Sequence, residues 1–526
     1  MGFITSDSTA YDGYTLFTPK LFGNTYLIDI NGRLVNQWES NYNPAATVYL
    51  LENGNLLRAT KLSDPQGGSG GFQVLTWEDS LLWEYAQGRQ HHDIEPLPNG
   101  NVLLIVNDIK TDQEAAAMGR DTLLLGEGLR SLRIMEVAAG DSGSTDLVWE
   151  WYAWDHLVQD YDSTRPNFAV VSQHPELINL NFSTDNNANW IHPNSIDYNP
   201  ELDQIIVSCR TFNELWVIDH STTTAEAAGH SGGYSNMGGD LLYRWGNPAS
   251  YGRGDTTDQI LYGQHDARWI ESGRPGSGNI MYFNNGLGRP AGAWSSVGEI
   301  VPPVDSSGHY FLPPDLAFEP HSEFWNYTAP TPTDLYSPKF SGAQRLPNGN
   351  TLICSGVGGN IIEVTAAGQL VWQYINPVSN GGPLNQGEAV HHNDLYRVAR
   401  YGPDYPGLAG KDLTPGSPIE IYLGIDQSFE VDQSRQINLF PNFPNPFNPN
   451  TTIRFTLAKS GPVVLTIYAL DGRAVKSLLD AKLPAGDHRL VWDGTGNNGQ
   501  PLGSGVYFYR IDNGVADVTG RLILLK

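Results

Sequence analysis

Four histidines of this chain lie in segments that repeat one sequence pattern, and their side chains can do chemistry. His92 lies seven residues before the first asparagine of an Asn-Gly-Asn turn. The others match by pattern, and they are His265, His392 and, displaced by about two residues, His192. Near neutral pH an imidazole can act as a nucleophile, as a general acid or base, or as a metal ligand. Four imidazoles at equivalent points favour a functional site, and their residue type does not choose among these chemistries.

The elements that must position these histidines are short β-strands. Between Tyr26 and Tyr374 the sequence repeats an apolar strand, a turn and a second strand rich in aromatic residues, most clearly at 26–38 and 361–374. An Asn-Gly-Asn turn recurs at residues 53–55, 99–101 and 348–350. Asn-Gly between apolar runs is a strong hairpin signal, because both turn residues must accept positive φ. A four-stranded unit of this size that repeats along the chain indicates a β-propeller.

The repeats count to six blades, with five or seven as alternatives. We therefore predict an all-β protein in which residues 1–401 form a six-bladed β-propeller. Because the innermost strand of each blade starts or ends at the propeller axis, the four histidines would converge on one axial channel. Carboxylates flank the same histidines, and they are Asp93, Asp266, Glu388 and Asp394. A site with nitrogen and oxygen metal ligands is therefore a second interpretation of the channel.

Composition excludes several classes of function. The formal net charge is −26 and the pI is near 4.7, so a nucleic acid or an anionic membrane surface would be repelled. No apolar run is long enough to span a bilayer, and the first residues lack the basic and apolar parts of a signal peptide. The absence of a Cys-x-x-Cys pair excludes a zinc ribbon and covalently attached haem. Cys209 and Cys354 are interpreted as buried thiols, although their spacing does not exclude a disulfide.

The repeat ends after residue 401. Residues 402–437 are rich in Pro, Gly and Asp, which predicts a linker with one short strand at 419–423. Residues 438–526 alternate short strands with turn residues, which predicts a small β-sandwich. The strands are expected at 463–468, 488–492 and 505–511.

The sandwich opens with Phe443-Pro-Asn-Pro-Phe-Asn-Pro449 and resembles the C-terminal sorting domain of proteins exported by the type IX secretion system. That domain is an immunoglobulin-like module shared with flagellar hook-capping proteins. The resemblance implies that the type IX machinery exports this protein to the cell surface or the medium, after removal of a signal peptide. An accessory sandwich without a sorting role is the alternative.

Most of residues 10–400 resembles the bacterial arylsulfate sulfotransferases, which are six-bladed propeller enzymes. The matching segments are 11–17, 91–101, 191–197, 264–267 and 343–353. The resemblance implies transfer of a sulfuryl group from a phenolic sulfate ester to a second phenol through a sulfated histidine. No nucleotide donor or other cofactor is required, although a divalent metal is an open alternative. By resemblance His192 and His265 hold the sulfuryl oxygens or relay protons, and Arg289 is a cationic clamp.

One position departs from the family pattern. The blade that would carry the sulfated histidine has none at 336–345, and it has Ser341 where neighbouring blades have histidine. Either His92 or His392 would then take that role, or the activity would be lost. Three classes of function stay open: a sulfotransferase, a metal-binding propeller, and a non-enzymatic surface or matrix protein that binds partners or associates with itself.

Overall fold

Short antiparallel strands make up most of the chain. The computed structural model describes residues 1–65, 67–182, 188–421, 437–443, 445 and 447–525. The described α-helices are Asp112–Ala117 (α1) and Thr224–Ala227 (α2). Single 3₁₀ turns occur at Thr122–Leu124, Asp141–Gly143, Ala153–Asp155, Val171–Gln173, Pro248–Tyr251, Pro332–Leu335 and Pro406–Leu408. The predicted all-β class is confirmed. The chain divides into two compact units, residues 1–423 and 424–526.

The strands of the first unit are numbered in chain order. They are Gly2–Ser6 (β1), Tyr14–Pro19 (β2), Thr25–Ile28 (β3), Leu34–Trp38 (β4), Pro44–Leu50 (β5), Leu56–Thr60 (β6), Gly71–Leu75 (β7), Leu81–Ala86 (β8), Gln90–Pro96 (β9), Val102–Lys110 (β10), Leu129–Ala139 (β11), Thr145–Tyr152 (β12), Leu157–Val158 (β13), Ile178–Asn179 (β14), Pro193–Asn199 (β15), Gln204–Cys209 (β16), Glu214–Asp219 (β17), Leu241–Trp245 (β18), His265–Trp269 (β19), Ile280–Asn284 (β20), Ser296–Ile300 (β21), Trp325–Tyr327 (β22), Gly342–Arg345 (β23), Thr351–Ser355 (β24), Asn360–Val364 (β25), Leu370–Ile375 (β26), Val378–Ser379 (β27), Gly382–Pro383 (β28) and Leu395–Tyr401 (β29).

Six antiparallel sheets of the described residues follow one another in this unit. Their strand orders are β29-β2-β3-β4, β5-β6-β7-β8, β9-β10-β11-β12, β15-β16-β17-β18, β19-β20-β21-β22 and β23-β24-β25-β26-β1. The first strand of each order contacts its counterpart in the next sheet, in the ring β29, β5, β9, β15, β19, β23 and back to β29. This arrangement is that of a β-propeller with the six first strands around its axis. Two of the sheets join strands from both ends of the unit, because β29 pairs with β2 and β1 pairs with β26.

The Asn-Gly-Asn turns differ in detail from the predicted two-residue turn. Only the glycines take positive φ, with values of 82° at Gly54, 89° at Gly100 and 86° at Gly349. In the first turn the N–H of Leu51 donates to the carbonyl of Asn55, and the N–H of Gly54 donates to the carbonyl of Leu51. These bonds close a three-residue loop whose last residue is left-handed, so one glycine is sufficient.

One ion-pair network crosses the propeller axis. Arg397 on β29 donates from Nη1 to Asp93 Oδ2 on β9 (2.8 Å) and to Asp266 Oδ1 on β19 (2.9 Å). Its Nη2 donates to the hydroxyl of Tyr49 on β5. The two carboxylates are almost completely buried, with exposed fractions of 0% and 2%, and the arginine side chain is 6% exposed.

The same carboxylates reach the remaining innermost strands. Asp93 Oδ2 accepts the backbone N–H of Ile196 on β15 (3.1 Å), and Asp266 Oδ2 accepts that of Ala343 on β23 (3.0 Å). The Arg397, Asp93 and Asp266 group, called the axial network below, therefore contacts all six innermost strands. Since each carboxylate follows a histidine in the chain, the axial network also fixes where His92 and His265 lie.

The described part of the predicted linker, residues 402–421, lies against the first unit. The Tyr405 hydroxyl donates to the carbonyl of Leu50 (2.7 Å), and the N–H of Gly416 donates to the carbonyl of Leu34 (2.7 Å). At the predicted strand 419–423, Ile421 forms a single bridge to Asn385. The remaining residues of the predicted linker up to 436 lie outside the described residues.

The second unit contains two antiparallel sheets. Its strands are Ile437–Phe443 (β30), Thr451–Leu457 (β31), Gly461–Ala469 (β32), Ala474–Leu483 (β33), Gly486–Trp492 (β34), Gly505–Asp512 (β35) and Asp517–Leu524 (β36). The sheet orders are β30-β31-β34 and β33-β32-β35-β36. Fully buried Trp492 contacts the rings of Phe447 and Tyr507, each with a centroid distance of 5.4 Å. The predicted β-sandwich is confirmed.

Two further predictions concern the whole chain. In the described residues, no helix has the length and apolar character that a membrane crossing requires. Cys209 and Cys354 are both buried and not joined by a disulfide. The interpretation of two buried thiols is therefore confirmed.

We expect Arg397→Met to destabilise the propeller by about 3–5 kcal/mol, because the substitution leaves the buried carboxylate of Asp93 without its ion-pair partner, whereas Asp266 keeps Arg268. Denaturant unfolding followed by tryptophan fluorescence measures this change. Arg165→Ala is the matched control, since Arg165 pairs with Asp162 on the surface and such pairs contribute about 1 kcal/mol or less. Equal effects of the two substitutions would contradict a central role of the axial network.

Candidate active site

Three of the four predicted histidines meet at the propeller axis. Nε2 of His92 lies 3.3 Å from Nε2 of His192. The ring centroid of His92 lies 5.4 Å from that of His192 and 6.4 Å from that of His265. His91 joins them, with its ring 4.2 Å from His92 and 5.0 Å from His192. We call His91, His92, His192 and His265 the axial histidines.

The backbone turns these side chains inward through left-handed residues at the start of the inner strands. The φ angles are 56° at His92, 48° at His192 and 54° at Asp266, next to His265. The pairing register shifts nearby in all three sheets. Non-glycine residues with such φ angles cost about 1–3 kcal/mol each and gather at functional sites. Ser341 and His392 take the same conformation, with φ of 86° and 57°, so it belongs to the entry of the inner strands and not to the axial histidines alone.

Two predicted site residues lie apart from the axial histidines. His392 has a left-handed φ of 57°, but its side chain is exposed and contacts none of the other histidines. Arg289 lies over the ring of Trp294, with its guanidinium carbon 4.5 Å from the ring centroid. It lines a depression of about 530 Å³ together with Tyr262 and Glu323. The structure therefore gathers three of the five predicted residues.

The tautomers of two axial histidines follow from their hydrogen bonds. His91 donates Nδ1–H to the carbonyl of Pro193 (2.9 Å), which leaves its Nε2 lone pair free. His265 donates Nδ1–H to Oδ1 of Asn285 (2.7 Å), and its Nε2 accepts the N–H of Phe340 (3.3 Å). His265 is thus held at both nitrogens, whereas His91 is held at one.

Burial keeps the axial histidines neutral. It lowers the pKa of His192 to about 3, and the charges of His91 and Arg210 add to this effect. Burial also lowers the pKa of His265 to about 3, although the hydrogen bond to Asn285 opposes the shift. The pKa of His92 lies well below its usual value for the same reason, with neighbouring histidines contributing. Neutral imidazoles carry the lone pair that nucleophilic attack requires.

Cations surround these neutral rings. The Lys20 ammonium lies 3.3 Å from the ring centroid of Phe340, and burial lowers its pKa to about 8. Arg210 is half-buried, and its guanidinium has no hydrogen-bond partner in the described part of the chain. Both cations lie close enough to His265 to lower its pKa. Unpaired cations beside neutral imidazoles favour binding of an anion at this site.

The three blades that do not carry the axial histidines contribute an apolar and aromatic surface. Ala46, Phe340 and Tyr396 form a buried cluster contributed by the three other blades. The Tyr396 ring stacks on His92 with a centroid distance of 5.7 Å, and its hydroxyl donates to the carbonyl of Asn194. The site thus has a polar side suited to an anion and an aromatic side suited to a ring.

Ser341, which replaces histidine in the repeat, is fully buried. Its hydroxyl donates to Oγ of Ser337 (2.9 Å) and accepts the N–H of Gly356 (2.9 Å). Oγ of Ser337 in turn accepts the N–H of Val357 (3.0 Å), so the two hydroxyls together bind the backbone that follows β24. We therefore assign Ser341 no part in the chemistry.

The carboxylates considered as metal ligands are already engaged by hydrogen-bond donors. The axial network uses both oxygens of Asp93 and of Asp266. Glu388 accepts hydrogen bonds from Asn385, and Asp394 accepts the N–H of Gly358. A metal ion bound by these carboxylates together with the axial histidines would have to displace these hydrogen-bond donors.

His91, Lys20 and Tyr396 belong to the site although they were not among the predicted residues. The double histidine at 91–92 was the available signal, because adjacent residues of a strand with a left-handed turn can both face the axis. No sequence pattern pointed to Lys20. Lys20 reaches the axis because its N–H donates to the carbonyl of Asp394, next to the sheet that joins strands from both ends of the first unit.

Comparisons with known proteins match a family model to each unit of the chain. The family model described as Arylsulfotransferase (ASST) matches residues 5–381. The chain belongs to the arylsulfotransferase family. A FlgD Ig-like domain model matches residues 448–514 in the second unit. Family membership supports an arylsulfotransferase-like function with phenolic substrates. A comparison with curated proteins found no match.

Several solved structures match this chain at low similarity. A protein of unknown function from Bacteroides caccae is 11% identical with a TM-score of 0.40, and the match covers 74% of this chain and 99% of that one. A protein from Lactobacillus plantarum is 10% identical with a TM-score of 0.36, covering 91% and 99%. Virginiamycin B lyase from Staphylococcus aureus is 10% identical with a TM-score of 0.31, covering 72% and 89%. These likenesses are too weak to inform function.

The depressed pKa values predict a pH-dependent stability. Between about pH 3 and the ordinary value of 6.5, unfolded His192 and His265 bind protons that the folded protein does not. The free energy of unfolding should therefore fall more steeply on acidification in the wild type than in His192→Gln or His265→Gln. Denaturant unfolding between pH 7 and about pH 4 measures the difference.

His220 provides a control of opposite sign. Burial lowers its pKa, but hydrogen bonds to Asp203 and Glu136 outweigh burial and raise the pKa to about 9. Its stabilisation is fully present below pH 6.5 and is lost as the pH rises through about 9. His220→Gln should therefore change the alkaline side of the profile. Identical acid slopes in the wild type and both axial variants would contradict neutral axial histidines.

Proposed function

We propose that the axial histidines transfer a sulfuryl group between phenolic compounds, with His92 as the nucleophile. The observation that supports this most is the combination of neutral imidazoles, unpaired cations and an aromatic surface at one axis in a chain of the arylsulfotransferase family. His92 contacts the three other axial histidines and Tyr396. His265 is less suited to attack because both of its nitrogens are hydrogen-bonded.

In the first step, Nε2 of His92 attacks the sulfur of an aryl sulfate. The nitrogen–sulfur bond forms, the bond from sulfur to the phenolic oxygen breaks, and the phenolic oxygen takes the electron pair. The Lys20 ammonium donates a proton to this oxygen, and a pKa near 8 suits proton exchange near neutral pH. His192 turns its Nε2–H from His92 to a sulfuryl oxygen, and Arg210 binds the developing charge.

In the second step, an acceptor phenol replaces the first phenol against Phe340 and Tyr396. Neutral Lys20 removes its proton, and the phenolate oxygen attacks the sulfur. The oxygen–sulfur bond forms, the nitrogen–sulfur bond breaks, and His92 recovers its lone pair. Every proton and electron pair is thereby returned, so the cycle requires neither a metal nor another cofactor.

We expect His92→Ala to lower kcat for transfer from 4-nitrophenyl sulfate to phenol by at least about a thousandfold, because the covalent route is lost. His192→Ala should lower kcat by about a hundredfold to a thousandfold, as expected for a lost hydrogen bond to the transition state. His265→Ala should also lower kcat, because the buried His265 ring packs against His92 and positions it. Release of 4-nitrophenol measures the rate. The exposed His321 supplies the control variant His321→Ala, which should retain full turnover.

Two outcomes would contradict this assignment. Undiminished turnover in His192→Ala and His265→Ala would exclude the axial site. A loss of turnover in His392→Ala with full activity in His92→Ala would move the nucleophile to the exposed histidine. Lys20→Met tests the proton donor separately, since it should slow phenyl sulfate more than 4-nitrophenyl sulfate, whose leaving group needs less protonation.

We further propose that the second unit directs export through the type IX secretion machinery to the cell surface or the medium. The motif at 443–449 and the immunoglobulin-like fold of residues 437–525 support this role. The strong negative charge suits a protein that must stay soluble outside the cell.

In a host with a type IX system, we expect the full chain behind the host's own export leader to reach the surface or the medium. The same chain ending at residue 437 should stay in the periplasm, because it lacks the sorting domain. Immunoblots of the cell fractions measure this. Equal export of both chains, or of the full chain in a host whose type IX system is deleted, would contradict the sorting role.

A further inference from the structure

Two clusters of three groups in the described residues could hold a metal ion by geometry. One consists of His91, His92 and His192, and the other of His156, His230 and Asp240. Their electrostatic surroundings differ. The first cluster lacks a carboxylate, and Lys20, Arg130 and Arg210 act on its histidines, which favours an anion. The second contains the Asp240 carboxylate and is outside the proposed active site.

The second cluster joins three separate segments of the first unit. His156 follows the 3₁₀ turn at Ala153–Asp155, His230 lies in the loop after α2, and Asp240 precedes β18. His156 is fully buried and stacks on Trp151 at 5.4 Å with an angle of 3° between the rings. The Trp151 indole donates to the carbonyl of Gly239 (2.7 Å), which holds the chain next to Asp240.

The tautomer of His156 is set by a backbone carbonyl. Its Nε2 lies 2.9 Å from the carbonyl oxygen of Ala227, so Nε2 must carry the hydrogen. In the neutral ring Nδ1 then has a lone pair, and this lone pair faces Oδ1 of Asp240 at 2.8 Å. Two acceptors at that distance repel each other unless a proton or a metal ion lies between them. A carbonyl that orients a histidine from behind is also the usual second shell of a metal site.

His230 completes the arrangement from the solvent side. Its Nδ1 lies 2.7 Å from the same Oδ1 of Asp240, and its side chain is 61% exposed. Oδ2 of Asp240 has no hydrogen-bond partner in the described part of the chain. Zinc bonds of about 2.0–2.2 Å place the ligand atoms roughly 3.3 Å apart. Exposed His230 would therefore move outward, and Asp240 would offer Oδ2 in place of Oδ1 to lengthen its 2.8 Å contact with His156.

We propose that His156 Nδ1, His230 Nδ1 and the Asp240 carboxylate form a binding site for a divalent transition-metal ion such as Zn²⁺. Two nitrogens and a carboxylate match the ligand preference of zinc, and the exposed side at His230 leaves the fourth position for water. The bound ion stabilises the corner where the loop after α2 meets β18 and the segment after β12. It acts independently of sulfuryl transfer.

Titration calorimetry of the purified full chain with Zn²⁺, after treatment with a chelator, tests this site. We expect one equivalent bound by the wild type and a rise in the thermal unfolding midpoint on addition of Zn²⁺. His230→Ala should weaken binding by more than about a hundredfold, since even second-shell changes cost about 10- to 100-fold. Because His230 is largely exposed, this variant should fold normally, which circular dichroism checks.

Two control variants locate the ion. His174→Ala changes a partly exposed histidine that pairs with Glu176, and it should bind Zn²⁺ as the wild type does. His192→Ala removes one of the axial histidines, and this variant should still bind one equivalent of Zn²⁺. No binding by the wild type, equal binding by His230→Ala, or loss of the equivalent in His192→Ala would each overturn the proposal. The first two results would assign a proton, rather than a metal, to the His156 and Asp240 pair.

Discussion

The interaction on which the rest of the structure depends is the axial network of Arg397, Asp93 and Asp266. It contacts the innermost strands of all six sheets, and its charges are almost completely removed from water. A buried ion pair of this kind adds little net stability compared with an apolar core, but removing one partner is costly. The main effect of the axial network is therefore to fix the register of the inner strands. Because His92 and His265 precede the two carboxylates in the chain, the same network positions two of the axial histidines.

Electrostatics divides the histidines of the first unit into two kinds of site. The axial histidines are neutral and lie among cations, which suits an anionic ester in a protein of net charge −26. His156 and His230 face the carboxylate of Asp240, which suits a cation. The same side chain thus supports opposite ligands, and the neighbouring charges decide which ligand each site binds.

The repeat in the sequence predicted the strands and the convergence of His92, His192 and His265, because hairpin turns and alternating apolar residues are local signals. The repeat also placed His392 at an equivalent backbone position. The φ angle of His392 agrees with this, but its side chain is exposed and does not join the axial histidines. Whether a side chain faces the axis depends on packing between sheets, and no local pattern encodes that packing. Lys20 and the partners of Arg397 lie far apart in the sequence. Their positions could be known only from the structure in which the six sheets close into a ring. Arg289 was assigned through family resemblance, and the structure places it over Trp294.

The central claim is that His92 carries the sulfuryl group between donor and acceptor. The most direct measurement is peptide mass spectrometry of the protein quenched after brief incubation with an aryl sulfate and no acceptor, at a pH that preserves sulfated histidine. The account predicts an added sulfuryl mass on the peptide that contains His92, absent in His92→Ala and removed when phenol is added before quenching. A sulfuryl group on any other residue, or turnover without a sulfated intermediate, would contradict it.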